Sequence, residues 1–475
     1  MYRSEILNTI NWLEEVVKRK EDLVKDTQAF LQIDSVLDED TKGESAPFGK
    51  GIDQALQFLL TKGTTEGFTV KNVDGYAGHI EFGNGEELVG VLCHIDVVPP
   101  GDGWTSPPFS AEIRDGKIFA RGALDDKGPT MAAFYALKII KELDLEVNKR
   151  LRIIIGTDEE SNWECVEHYF KHEEMPSLGF APDADFPIIY AEKGILDCKI
   201  NQEVSSNSGD SRHTLVSLSS GRRLNMVPDL AVAKVVGETA SVKEKFEKFL
   251  SENNLDGSLE VNETEIDLKL IGVSAHGMEP KNGVNAGTKL IQFLTTLEFD
   301  QQGSLFLKVG DTYFADDSRG HSLEISSSDE VSGELTMNVG TISYDRELGG
   351  SFGLNIRYPV TLNSDHTVSM ITEKIKPYGF KIASLSDSKP HHVEKEHELV
   401  KTLQRVYTEQ TGEEATLLSI GGGTYARSLE VGVAFGPLFP GRPDIAHQKD
   451  EYIEVDDLVR ATALYAQAIY ELIKK

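Results

Sequence analysis

Two patterns of apolar and polar positions occur in the first 190 residues, one typical of helices and the other of buried strands. Apolar residues recur at helical spacing over residues 8–30, 52–60 and 129–143. Short apolar runs bounded by turn residues occupy 87–93 and 151–155, as in strands that are buried on both faces. Helices that alternate with such strands predict an α/β domain built on a mainly parallel sheet.

The middle of the chain, residues 194–385, follows a different pattern. Residues 266–271 alternate apolar and polar side chains, which is typical of a strand with one buried face. Helical spacing covers 243–250 and 284–297. This mixture predicts an α+β domain, and its length leaves room for two subdomains.

The last 90 residues return to the pattern of the first part. Residues 431–435 read as a strand, and Asp456 is placed to cap a closing helix. We therefore expect residues 1–193 and 386–475 to form one α/β domain, interrupted by residues 194–385 as a long insertion.

Amino-acid composition and net charge indicate which partners and which cellular location to expect. The 48 basic and 78 acidic residues give a net charge of −30, which disfavours nucleic acid and membrane surfaces as partners. No run of 18 apolar residues occurs, so we expect no transmembrane helix. The three cysteines are far apart, and the N-terminus lacks a signal-peptide pattern. A cytoplasmic location is expected.

Candidate chemistry lies at the ends of the two buried strands. His94 and Asp96 follow the first strand on one face, so His94 can reach a metal while Asp96 accepts its other ring N–H. Asp158, Glu159 and Glu160 follow the second strand. Clustered carboxylates need a counter-charge, which metal ions can supply.

Three further motifs carry similar side chains. Asp125 lies on a Gly-flanked loop that opens a helix, Asp183 lies in Phe-Ala-Pro-Asp-Ala-Asp, and His447 lies near the C-terminus. Nitrogen and oxygen ligands without thiolates favour zinc, manganese or cobalt. Each motif alone is a common structural feature, such as a capping aspartate or a strand-end histidine.

Taken together, these motifs resemble the co-catalytic two-metal peptidases, a family that includes carnosinases, aminoacylases and succinyl-diaminopimelate desuccinylases. The resemblance is strongest to bacterial beta-Ala-Xaa (carnosinase-like, Xaa-His) dipeptidases and covers nearly the whole chain. The matching strings are His94-x-Asp96, Arg121-Gly-x-x-Asp125-x-Lys-Gly128, Asp158-Glu159-Glu160, Asp183 and His447, with Gly101-Asp-Gly-Trp104, Glu192-Lys-Gly194 and Gly421-Gly-Gly-Thr-Tyr-Ala-Arg427 in support.

The resemblance implies an α/β catalytic domain with an inserted lid domain and two divalent metal ions per chain, with zinc as the usual metal. Asp125 would bridge both ions. His94 and Asp183 would complete one site, and Glu160 and His447 would complete the other.

The resemblance also implies the roles of other residues. Glu159 would act as general base toward the water that the two metals share, and Asp96 would orient His94. His276 of the lid would stabilise the oxyanion. The peptide bond between Asp125 and Asp126 is expected to be cis.

Substrate binding is implied for a second group of residues. Asn225 would contact the substrate, and the Arg357 guanidinium would hold its terminal carboxylate through a forked pair of donors. Backbone groups of Gly422, Gly423 and Thr424 would assist.

The expected activity is hydrolysis of dipeptides, including beta-Ala-Xaa and Xaa-His types. An N-acyl-amino-acid amidohydrolase or desuccinylase with the same site stays open as the alternative. A metal-free peptide-binding relative is disfavoured because every ligand type is present, and nothing supports a structural role. The length of the insertion predicts a monomer that closes its own site.

Overall fold

A computed structural model describes residues 10–204, 211–240 and 242–474. The chain divides into two compact units. Unit 1 comprises three segments: the described residues up to Tyr190, then His392–Leu418, and the described residues from Thr424 onward. Unit 2 comprises Ala191–His391 and the short segment Ser419–Gly423.

The α-helices of unit 2 are α6 to α9, and the others belong to unit 1. In chain order the helices within the described residues are α1 Trp12–Val17, α2 Lys20–Leu31, α3 Lys50–Thr65, α4 Lys127–Glu142, α5 Glu164–His172, α6 Val242–Asn253, α7 Ala286–Leu294, α8 Gln301–Tyr313, α9 Asp365–Ile375, α10 Glu398–Thr411 and α11 Val455–Ile473.

Within the described residues, the strands form two large sheets and three small ribbons. In chain order the strands are β1 Thr69–Val73, β2 Ala77–Phe82, β3 Leu88–His94, β4 Glu112–Arg114, β5 Lys117–Phe119, β6 Arg150–Gly156, β7 Leu178–Ala181, β8 Ala184–Asp185, β9 Ile188–Glu192, β10 Gly194–Gln202, β11 His213–Ser220, β12 Leu230–Gly237, β13 Asp256–Asn262, β14 Glu265–Ile271, β15 Ser328–Asp329, β16 Gly333–Glu334, β17 Thr336–Asp345, β18 Gly349–Tyr358, β19 Phe380–Ser388, β20 His391–His392, β21 Leu417–Ile420, β22 Gly432–Ala434, β23 Pro437–Leu438 and β24 Tyr452–Glu454.

The large sheet of unit 1 has a parallel centre. Its order is β1-β2-β6-β3-β7-β22-β9-β20, with β21 beside β9. Strands β6, β3, β7 and β22 run parallel, whereas β1, β2 and β9 pair antiparallel at the flanks. Every residue of β3 is buried, which confirms the prediction of a doubly covered strand from its continuous apolar run.

The helices of unit 1 bury their apolar residues in one core with this sheet. Helix α4 is apolar on nearly all sides and packs against α11, α2 and β3. Burial on so many sides accounts for the scarcity of polar residues in its sequence.

Two helix predictions need correction. The helix expected over residues 8–30 is two helices, α1 and α2, because α1 packs on α11 while α2 packs on α4. Residues 8 and 9 lie outside the described part of the chain. Asp456 is not the cap of α11, since the helix begins one residue earlier, at Val455.

Unit 2 is built on an antiparallel sheet of order β13-β14-β12-β11-β17-β18-β10-β19. Burial alternates residue by residue along β14, which confirms the one-faced strand predicted there. The buried face joins residues of α6, α7, α8 and α9 in a second core. The Asn285 side chain caps α7 by accepting the N–H groups of Gly287 and Thr288.

All three cysteines lie within the described residues, and each is buried and unpaired. The described helices include none that is both long enough and apolar enough to cross a membrane.

A buried histidine on β2 belongs to a hydrogen-bonded chain. The Tyr169 hydroxyl lies 2.9 Å from His79 Nδ1, and Arg152 Nη1 donates to the same hydroxyl at 3.2 Å. Burial and the nearby Arg152 charge lower the pKa of His79 to about 4. His79 is therefore neutral at pH 7, and its Nδ1 accepts the hydroxyl proton.

We predict that acidification costs the wild-type protein more stability than a His79→Gln variant. As the pH falls from 6.5 toward 4, the unfolded chain binds a proton at this histidine before the folded chain does. The difference should be absent above pH 6.5 and reach on the order of 2–3 kcal/mol near pH 4. Urea unfolding of metal-free protein at pH 7.5 and 4.5 measures it. Replacement of the exposed His366 by Gln is the control, and equal pH dependence of all three proteins would contradict the prediction.

Candidate metal centre

The candidate ligands meet because three neighbouring strands are parallel. Strands β6, β3 and β7 lie side by side, so their carboxyl ends share one edge of the sheet. His94 ends β3, Glu160 lies on the loop after β6, and Asp183 follows β7. Asp125 precedes α4, and His447 lies on the loop before β24. Such an edge is where α/β sheets place their sites.

The first group of candidate ligands, the His94 cluster, comprises His94, Asp125 and Asp183. His94 Nε2 lies 2.9 Å from Asp125 Oδ1 and 3.6 Å from Asp183 Oδ1. One ligand atom from each side chain lies within 4.8 Å of the others. His94 is fully buried, so this imidazole is held in place by packing.

The second group, the His447 cluster, comprises Asp125, Glu160 and His447. His447 Nε2 lies 2.9 Å from both Asp125 Oδ2 and Glu160 Oε1. The two oxygens of Asp125 therefore face different histidines, as a bridging ligand requires. His447 has a φ of 63°, a conformation that non-glycine residues adopt rarely and mainly where surrounding structure enforces it.

The electrostatics of these clusters fit two cations. Burial and neighbouring carboxylates raise the pKa values of Glu159, Glu160 and Asp183. Carboxylates that repel one another in a recess lower their energy by binding protons or metal ions. The imidazole nitrogens and carboxylate oxygens suit zinc, manganese or cobalt, and no thiolate belongs to either cluster.

Asp96 holds the loop that follows β6. Its carboxylate accepts the backbone N–H of Glu159 at 3.0 Å and that of Glu160 at 2.9 Å. His94 Nδ1 is 3.1 Å from the backbone carbonyl of Asp96 and 3.5 Å from its carboxylate. The sequence led us to expect contact between this ring and the carboxylate. In the fold, the backbone carbonyl provides the shorter contact.

The three carboxylates after β6 differ in what they contact. Asp158 accepts the N–H of Glu164, the first residue of α5, at 2.9 Å. Glu160 belongs to the His447 cluster. Glu159 belongs to neither cluster, although its backbone is tied to Asp96 and its carbonyl accepts Trp163 Nε1 at 2.6 Å. The backbone of Glu159 is therefore held next to Glu160, and its carboxylate belongs to neither candidate cluster.

The peptide bond between Asp125 and Asp126 is cis, which confirms the expectation for this position. The buried Asp126 carboxylate accepts the backbone N–H of His94 at 3.1 Å and the Thr130 hydroxyl at 3.2 Å. It thereby connects the start of α4 to the end of β3.

A buried ion pair joins the loops of Asp125 and His447. Arg121 Nη1 donates to Glu451 Oε2 at 2.6 Å, and both side chains are almost completely buried. Glu451 Oε1 accepts the backbone N–H of Leu124 at 2.9 Å and that of Asp125 at 3.3 Å. Arg121 Nη2 donates to the His447 carbonyl at 3.2 Å. Each member of the pair thus holds the backbone of one ligand loop.

In the sequence, Arg121 is part of a motif, whereas no pattern there points to a role for Glu451. The charge of Arg121 indicates that it needs an acidic partner if it is buried. That partner, Glu451, lies 330 positions away along the chain, so local sequence patterns do not identify it. Only the fold reveals which glutamate neutralises this arginine.

The predicted lid residues lie in unit 2. The backbone carbonyl of Asn225 accepts the N–H of Gly277 at 2.7 Å, so the Asn225 loop adjoins that of His276. His276 Nδ1 accepts the Met278 N–H at 3.1 Å.

Arg357, on β18, is almost completely buried in unit 2. Its Nε donates to Asn355 Oδ1 at 2.9 Å, and its Nη1 donates to the Gly421 carbonyl at 3.0 Å. Gly422 and Gly423 follow in unit 2, whereas the buried Thr424 begins the last segment of unit 1.

Known proteins share both the sequence pattern and the fold. Residues 90–471 match the family model for peptidase family M20/M25/M40. A Bacillus subtilis (strain 168) protein named "Putative dipeptidase YtjP" is 58% identical over 467 residues, which cover 98% of this chain and 100% of that protein.

Two solved structures are similar in fold. Aminoacylhistidine dipeptidase from Vibrio alginolyticus has a TM-score of 0.58 at 15% identity, covering 95% of this chain and 97% of that one. Human carnosine dipeptidase 1 has a TM-score of 0.55 at 13% identity, covering 97% and 98%.

We predict that Arg121→Met strongly destabilises the protein. The change leaves the Glu451 carboxylate buried without its cation, which typically costs about 3–5 kcal/mol. It also removes the hydrogen bond that holds the His447 backbone, so metal content should fall below that of the wild-type protein. Urea unfolding and elemental analysis measure both effects.

Arg405→Met is the matched control. Arg405 pairs with Glu471 on the surface, where an ion pair contributes at most about 1 kcal/mol. Equal stability of the Arg121 and Arg405 variants, or full metal content in Arg121→Met, would contradict the role of the buried pair.

Proposed function

Because this chain belongs to peptidase family M20/M25/M40 and is a peptide hydrolase, we propose that it cleaves dipeptides with a free terminal carboxylate. The supporting observation is the pair of clusters that share Asp125, whereas Glu159, next to Glu160 in the chain, belongs to neither cluster. Such an arrangement would separate metal binding from proton transfer.

Two divalent ions, most suitably zinc, are proposed as cofactors. His94, Asp125 and Asp183 would hold one ion, and Asp125, Glu160 and His447 would hold the other. When bound, such ions acidify water and polarise the peptide carbonyl. Manganese or cobalt would suit the same donors.

Glu159 is proposed as the general base. Its carboxylate would take a proton from the attacking water and return it to the nitrogen of the leaving amine. Burial raises the pKa of Glu159, which favours holding the proton between these two events. Asp96 would keep Glu159 in place, because it binds the Glu159 backbone N–H, and would keep the His94 ring oriented.

His276 is proposed to stabilise the oxyanion, with Asn225 as a second substrate contact. Burial and the nearby Arg357 lower the pKa of His276, so the ring is neutral at pH 7. Since Nδ1 accepts the Met278 N–H, the proton lies on Nε2. Nε2–H is then the donor that an oxyanion needs.

Arg357 is proposed to bind the terminal carboxylate of the substrate. Asn355 and the Gly421 carbonyl orient its guanidinium, and Asn355 Nδ2 donates in turn to Asp197 Oδ1 at 2.5 Å. A guanidinium held in this way loses little freedom when it binds a carboxylate through two donors. Backbone groups of Gly422, Gly423 and Thr424 would complete this contact.

The Bacillus subtilis relative at 58% identity is named a putative dipeptidase, which supports dipeptides over longer peptides as the proposed substrates. Beta-Ala-Xaa and Xaa-His dipeptides are proposed as part of the substrate range, in line with the motif resemblance. A cytoplasmic location is proposed because all three cysteines are unpaired.

A substrate panel with metal-reconstituted enzyme tests this function. We expect hydrolysis of alpha-dipeptides and of beta-Ala-His, with little activity on tripeptides. N-acetyl and N-succinyl amino acids should also be poor substrates. Preference for the acylated amino acids would instead identify an amidohydrolase or desuccinylase.

Glu159→Gln should lower kcat by at least about three orders of magnitude in the same assay, because water activation and proton delivery are both lost. Metal content should stay near two ions per chain. Glu164→Gln, an exposed glutamate at the start of α5, is the control and should retain activity. Loss of a metal ion from Glu159→Gln would mean that Glu159 is a ligand.

The enzyme is proposed to act as a monomer, because residues 194–385 are long enough for a lid that serves its own chain. Light scattering should give the mass of one chain, 52.4 kDa. Mixing inactive His276→Ala protein with inactive Glu159→Gln protein should restore no activity. Recovery of activity on mixing would show that His276 serves a second subunit, and the monomer proposal would be wrong.

A further inference from the structure

A second histidine–carboxylate group lies in unit 1 apart from the candidate metal centre. This group, the His168 cluster, comprises Asp74, His168 and His172. One ligand atom from each side chain lies within 4.8 Å of the others. We propose that the His168 cluster is an additional zinc site that links the β1–β2 turn to helix α5.

Local structure brings the three side chains together. His168 and His172 are four residues apart on α5, so they lie on one face of the helix. Asp74 lies in the turn between β1 and β2 with a φ of 55°, followed by Gly75 at 73°. His168 Nε2 lies 2.9 Å from Asp74 Oδ2.

The same contact occurs at the candidate metal centre. His94 and Asp125 approach to 2.9 Å, as do His447 and Glu160. Zinc bonds of about 2.0–2.1 Å at a tetrahedral angle separate two ligand atoms by roughly 3.3 Å. A hydrogen bond of 2.9 Å between imidazole and carboxylate is thus close to the separation that a zinc ion would impose.

The two imidazoles are also prepared for binding. His172 Nδ1 lies 2.8 Å from the backbone carbonyl of His168, to which its N–H donates. The lone pair of His172 is therefore on Nε2, and the hydrogen bond at Nδ1 is the kind that orients metal-bound histidines. His168 stacks on Tyr76 with ring centroids 4.3 Å apart, which limits its rotation.

The donor set indicates the class of metal. Two imidazoles and one carboxylate suit zinc and similar borderline ions, whereas calcium and magnesium prefer oxygen ligands. Side chains of all three residues reach solvent, so an ion can enter and a water molecule can fill the fourth position.

Zinc at this site would brace the part of unit 1 that carries Glu159 and Glu160. Helix α5 begins at Glu164, whose N–H is bound by Asp158. The Thr157 hydroxyl donates to the Tyr76 carbonyl in the β1–β2 turn. Both elements that zinc would join therefore contact the loop after β6, and we expect zinc to stabilise them.

Calorimetric titration of the full chain with zinc tests the site. Wild-type protein should bind one more equivalent than the His168→Gln/His172→Gln double variant. The control double variant His366→Gln/His392→Gln removes two other surface histidines, one of which lies 3.4 Å from Glu394. It should bind as many equivalents as wild type. Because the readout is a difference of one equivalent, it is independent of how many ions the candidate metal centre holds.

Asp74→Asn provides a test that preserves the fold, since asparagine tolerates a positive φ and keeps a hydrogen bond to His168. It should weaken the additional site at least about tenfold through loss of the anionic ligand. Excess zinc should raise the melting temperature of the wild type by about 2 °C or more beyond that of Asp74→Asn. The proposal would be overturned if the wild type and the His168→Gln/His172→Gln variant bound equal amounts of zinc at free zinc concentrations up to about 0.1 mM.

Discussion

Crowding of negative charge at one edge of a parallel sheet is the constraint on which the rest of unit 1 depends. Asp125, Glu160 and Asp183 converge there with only His94 and His447 as nitrogen partners in the two clusters. Burial makes each uncompensated carboxylate costly, so the group is stable only with bound protons or cations. Because Asp125 faces both histidines, the charges of the two clusters interact through it.

Buried partners hold the backbone of this edge, so the side chains of the candidate ligands are not needed to hold it and could bind ions. Asp96 holds the loop of Glu159 and Glu160, and the Arg121–Glu451 pair holds the loops of Asp125 and His447. Orientation of ligands by groups behind them is a general requirement of precise metal sites. The His168 cluster has a simpler version of the same support, since a backbone carbonyl orients one ring and a tyrosine ring packs on the other.

In unit 2, as in unit 1, neighbouring groups hold candidate functional side chains in fixed orientations. Its antiparallel sheet has one face in a core, and the residues proposed to bind substrate are held by neighbours within the unit. Arg357 is oriented by Asn355 and Gly421, and His276 is fixed in one tautomer by Met278. Both side chains are therefore set in advance, which lowers the free energy needed to order them around a ligand.

Local patterns in the amino-acid sequence were enough to predict β3, β6, α4 and the alternation of β14, and the motif strings identified the family. These features depend on spacing within a few residues, which the sequence displays directly. Only the tertiary structure decided that the helix predicted over residues 8–30 is interrupted between Val17 and Lys20, which glutamate neutralises Arg121, and that Asp74 meets His168. Those outcomes depend on contacts between distant parts of the chain, and such contacts exist only after the strands have paired and the helices have packed on them.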